Sequence, residues 1–103
     1  MNCSEHLLTC LAEECSEIAQ EVAKALRFGL DDKKSGQDLT NAQRIAQEFN
    51  DLLAVYDMLR HEGLLPSPST AFAPKQMKVE NFMQYAKARG TLAASPLSDG
   101  GRG

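Results

Sequence analysis

The sequence predicts an all-α fold: a long helical hairpin plus a shorter third helix, with a four-helix-type core completed by oligomerisation. Three observations predict it. Two long segments carry apolar residues at three- and four-residue spacing, and each is closed by a glycine. No segment alternates apolar and polar residues as a half-buried strand would. In 103 residues, two helices with broad apolar faces and one short helix cannot cover one another, because small domains bury surface poorly. At least a dimer is expected.

The first helix is predicted from about Ser4 to Phe28, stopping at Gly29. Its stripe is Leu7, Leu8, Leu11, Cys15, Ile18, Ala19, Val22, Ala25 and Leu26. The polar loop GLDDKKSGQDL follows. The second helix is expected to start near Thr40, a suitable N-cap, and to end at Gly63. Its stripe is Ala42, Ile45, Ala46, Phe49, Leu52, Leu53, Tyr56 and Leu59. An extended linker with Pro66, Pro68 and Pro74 leads to a third helix over about 74–89. Val79, Phe82, Met83 and Ala86 form the stripe of that helix, and Gly90 closes it. Residues 1–94 are expected to form one domain, and the Gly/Ser-rich stretch 95–103 a disordered tail.

Composition excludes several functions. Hydrophobic residues make up 43% and charged residues 24%, as in a soluble domain. A net charge of -3 argues against binding polymeric nucleic acid, which needs a cationic surface. No apolar run is long enough to span a bilayer, and MNCSEHLLTC lacks the features of a signal peptide. Cys3, Cys10 and Cys15 form no C-x-x-C pair and are read as reduced thiols of a cytoplasmic protein, Cys10 and Cys15 as packing residues.

The stretch EECSE, residues 13 to 17, needs a reason. At about 100° per residue, Glu14 and Glu17 project about 60° apart, and Glu21 falls between them, all three along one edge of the apolar stripe. Glu13 points further towards solvent. On the second helix, QEFND places Glu48 and Asp51 three apart at the edge of its stripe. In an antiparallel hairpin the two pairs face each other across one groove. Pairs of this kind singly are usually solvated surface. Four facing carboxylates repel one another and resist ionisation unless a cation joins them. Mg²⁺ takes oxygen ligands and links carboxylates to substrate phosphates. A di-iron carboxylate bundle needs Glu-x-x-His motifs, and neither His6 nor His61 has a Glu three residues before it.

Glu13-Glu14-Cys15-Ser16-Glu17 followed by Glu48-Phe49-Asn50-Asp51 resembles the E-E-x-x-E and E-x-x-D motifs of the MazG-like all-α nucleoside triphosphate pyrophosphohydrolases. The resemblance covers residues 4 to 63. Residues 18 to 47 separate the two halves, a slightly longer gap than is usual in that family, and a polar loop absorbs such excess at little cost. The resemblance implies Mg²⁺, with Mn²⁺ as a possible substitute, held by Glu14, Glu17, Glu48 and Asp51, which are also the implied catalytic residues. It implies cleavage of a nucleoside triphosphate to a monophosphate and pyrophosphate, in nucleotide-pool house-cleaning, by a homodimer or homotetramer.

The phosphates also need cations. Candidates are Lys33 and Lys34 in the loop and Lys75 and Lys78 on the third helix, with Lys24, Arg27 and Arg44 on the first two. Arg44, four residues before Glu48, is also placed to pair with the acids. The competing class is a non-enzymatic, all-helical oligomeric interaction module whose acids are a solvated face. Metal dependence separates the two.

Overall fold

A computed structural model describes residues 1 to 93. Residues 94 to 103, including the expected disordered tail from 95, lie outside the described residues. The chain divides into two compact units, Met1–Ser67 and Pro68–Gly103. The described residues form three helices, α1 (Cys3–Phe28), α2 (Asn41–His61) and the shorter α3 (Ala73–Arg89). None is long and apolar enough to cross a membrane.

In the first unit, α1 and α2 pack as a hairpin. Helix α1 starts one residue earlier than the stripe indicates, because Asn2 caps it. Asn2 Oδ1 accepts from the Glu5 amide at 2.8 Å, and Glu5 Oε1 accepts from the Asn2 amide at 2.9 Å. Two otherwise orphaned amides are thereby satisfied. Thr40 and Gln43 make the same reciprocal pair at the start of α2. Gly29 ends α1 at φ 102, and a Cβ there would stand 3.1 Å from Asp31 Oδ1. Only glycine meets both conditions without strain.

The loop is tied to α2 by backbone and side chain. The Asn41 amide donates to Asp32 O and the Ala42 amide to Leu30 O, each at 2.9 Å. Asn41 Nδ2 donates to Gly29 O at 2.8 Å, and Asn41 is buried. A single antiparallel bridge joins Lys33 to Thr40. Beyond α2, Tyr56 Oη donates to Pro66 O at 2.8 Å and holds the chain back against the helix.

Among the buried and half-buried residues of the hairpin, one set recurs at alternating four- and three-residue steps: Leu7, Leu11, Glu14, Ile18, Glu21 and Ala25 on α1, and Asn41, Ile45, Glu48, Leu52, Val55 and Leu59 on α2. This is the spacing of two helices meeting along one seam. Of these, Leu59 is the one fully buried large apolar side chain among the described residues.

The apolar stripe read from the sequence is therefore wider than the seam. Leu8, Cys15, Ala19, Val22 and Leu26 on α1 stay exposed, as do Ala42, Ala46, Phe49 and Leu53 on α2. Cys15, expected as a packing residue, is among them. Each lies one position beyond a seam residue, or four from one, and so follows a second stripe beside the first. A two-helix hairpin has one contact seam and cannot cover both stripes.

In the second unit, Pro74 occupies the first turn of α3, where its missing amide costs nothing. Gly90 closes α3 in the left-handed conformation, its amide bonded to Ala86 O and Lys87 O. On α3, Met83 and Ala86 are half-buried, while Val79 and Phe82 are exposed.

Candidate metal centre

Three acids of the hairpin converge. Glu14, Glu17 and Glu48 each bring one carboxylate oxygen within 4.8 Å of the others, the one such group of acids, histidines or cysteines among the described residues. Helix periodicity explains why. Glu14 and Glu48 hold seam positions, so each is directed at the opposite helix. Glu17, one turn along from Glu14, stands at the seam's exposed edge. Asp51, one turn from Glu48, is half-buried and close enough for its charge to raise the pKa of both Glu14 and Glu48. It stands outside the tight group of three. Glu13 is exposed and acts on Glu14 only through its charge.

The electrostatics of the group are those of acids without a counter-charge. Glu48 shares a hydrogen bond with Glu17, is desolvated, and feels the charges of Glu17, Asp51 and Glu14. Together these push its pKa up to about 7. Burial raises the Glu14 pKa first, and the charges of Glu17, Asp51 and Glu13 add to it, against a hydrogen bond with Glu48. Glu14 Oε2 and Glu48 Oε2 are shielded from solvent and have no hydrogen-bond partner among the described residues. A carboxylate oxygen shielded from solvent and without a donor is costly. A hard divalent cation fits such a donor set, which is all oxygen, anionic and open on one side.

Glu21 continues this face one turn further along α1, buried, with Lys24 Nζ 3.4 Å from its Oε2. It lies in the seam rather than at the stripe's edge. Arg44 does not pair with the acids. Its guanidinium donates to Gln37 Oε1 in the loop, and its Nε has no partner among the described residues. Gln37 lies beside the start of α2, nearer to Arg44 than the acids one turn further on. His6 is exposed, and exposed His61 bonds to Asp57 near the end of α2.

The cations expected to meet phosphate fall in separate places. Lys33 and Lys34 join Lys24 and Arg27 around one cleft at the closed end of the hairpin. In the second unit, Lys75 lines a shallow cavity with Val79, Glu80 and Met83. Lys78 is exposed. The position of Asn41 was missed by sequence reasoning. Its signal is an amide residue directly after the N-cap, where an apolar seam position falls.

Compared with family models, with curated proteins and with solved structures, the chain matches none.

Proposed function

We propose that the chain is a Mg²⁺-dependent nucleoside triphosphate pyrophosphohydrolase of the MazG-like all-α type, acting on cytoplasmic nucleotides. The observation that carries this reading is the pair of solvent-shielded, unpartnered oxygens on Glu14 and Glu48, within one tight group with Glu17. Glu21 Oε1 is shielded without a partner too, but it stands alone beside Lys24; the weight against the interaction-module reading therefore lies in the convergence of the shielded oxygens of Glu14 and Glu48 with Glu17. Glu14, Glu17 and Glu48 would hold the metal, with Asp51 beside them. A divalent cation held there would supply charge neutralisation for phosphate oxygens and acidify a water. The chain's own contribution is to keep the carboxylates at fixed spacing on two packed helices. A carboxylate oxygen left free in the group would accept the proton of the attacking water. Products are a nucleoside monophosphate and pyrophosphate.

The active form in this reading is a homodimer or homotetramer. Support comes from the second stripe, where Leu26 is 83% and Phe49 50% exposed in the single chain. Contiguous apolar surface of this kind marks a contact face. A second hairpin set against it makes a four-helix core.

The test is incubation with a panel of NTPs and dNTPs, with Mg²⁺ and with chelator, followed by anion-exchange separation. Monophosphate plus pyrophosphate, lost with chelator and in Glu48→Gln, is the expected result. Diphosphate plus phosphate would show a different bond cleaved. No turnover of any nucleotide would remove the enzymatic reading.

A further inference from the structure

The closed end of the hairpin has the opposite character to the carboxylate group. A cavity of about 390 Å³ there is lined by Lys24, Arg27, Phe28, Asp32, Lys33 and Lys34. Four cations thus face one acid in a protein of net charge -3. A cleft lined mainly by one sign of charge concentrates the field within it. Part of this has an ordinary cause: Lys24 and Arg27 lie in the last two turns of α1, where cations offset the unpaired carbonyls. Lys24 also has Glu21 at 3.4 Å. Neither contact accounts for Lys33 and Lys34, which enter from the loop.

The cleft is built on a fixed frame. Asp32 O and Gly29 O are both held by Asn41. The first amides of α2 are already taken, by Asp32 O, Leu30 O, Thr40 Oγ1 and Thr40 O. Anion recognition therefore falls to side chains and not to a helix end. Phe28 is 60% exposed, and the Arg27 guanidinium lies 5.0 Å from its ring centroid. Stacking of this kind presents the guanidinium edge for hydrogen bonding.

We propose that this cleft binds a chain of linked phosphates directly, without a metal ion. Several cations within one small cavity suit a compact, multiply charged anion and exceed what a single carboxylate needs. The acidic remainder of the protein disfavours a polymeric polyanion. Lys24 is seven residues beyond Glu17, about 10 Å along the helix, with Glu21 between them, so the cleft adjoins the carboxylate group rather than coinciding with it. The assignment does not depend on hydrolysis.

The same chemistry occurs in inorganic tripolyphosphate and in ATP, and both serve as probes. Binding is measured by calorimetry at low salt with EDTA present. The wild type is expected to bind both probes. Lys33→Gln with Lys34→Gln should weaken binding by about tenfold or more. Arg27→Gln gives an independent check from the helix side, with helicity followed by circular dichroism. Equal affinity for the two probes, unaffected by Phe28→Ala, assigns recognition to phosphate alone. Tighter ATP binding that Phe28→Ala abolishes assigns a nucleotide. The proposal is overturned if neither probe binds, if the lysine and arginine variants bind as wild type, or if binding requires Mg²⁺.

Discussion

Glu48→Gln removes the acid whose ionisation the folded hairpin most opposes, while keeping its size and seam position. An acid whose folded pKa lies above its unfolded value takes a proton more readily when folded, so its ionisation costs stability. That cost is absent below about pH 4.5, grows between 4.5 and 7, and is complete above about 7. A rise from 4.5 to about 7 corresponds to roughly 3 kcal/mol if felt in full. Glu48 is half-buried, and screening by the adjoining water reduces this to about 1 kcal/mol. In a domain of this size that is a melting shift of about 4–8 °C. Thermal unfolding followed by circular dichroism, with chelator, should show the wild type losing stability from pH 5 to pH 8. The variant should show a shallower loss and melt higher than wild type at pH 8. Mg²⁺ should reverse the order, because the wild type gains by linkage and the variant lacks a ligand. The reasoning is refuted if the metal-free variant melts at or below the wild type at pH 8.

Further outcomes follow from the packing. Leu59→Ala empties the one fully buried apolar position and should cost about 2–5 kcal/mol in urea unfolding. Asn41→Ala leaves Gly29 O with only the long 3.4 Å bond from the Asp32 amide and should cost about 1 kcal/mol, with faster amide exchange in residues 29 to 40. Leu53→Glu places a charge on the exposed apolar stripe; sedimentation should show a single chain where the wild type shows an oligomer, with helicity retained. Asn2→Ala removes the α1 cap and should lower stability by about 1 kcal/mol in thermal or urea unfolding.

Much of this was legible in the residues. Glycine and proline punctuation located all three helices to within a residue or two, because backbone conformations open only to glycine, and the missing amide of proline, are local properties. The Asn2 and Glu5 cap was equally local, in the pattern N-x-x-E, and explains the earlier start of α1. The carboxylates were legible as two i, i+3 pairs. Their relative depth was not. Periodicity placed Glu14 and Glu48 at a stripe's edge, and only the antiparallel register put both in the seam, with Asp51 outside the tight group. Arg44 went to Gln37 rather than to the acids because the loop returns beside the start of α2, a path that sequence spacing does not encode.

By itself, the sequence determined the helices, their caps and the presence of two acidic pairs, since these depend on interactions within a few residues. The tertiary structure decided which apolar stripe became the hairpin seam and which remained exposed. It also decided which acids meet, and it gathered Lys24, Arg27, Lys33 and Lys34 around one cleft. Those outcomes depend on how one helix is rotated and slid against another. A shift of one residue turns a helix by about 100°, enough to exchange the two stripes and disperse the carboxylate group.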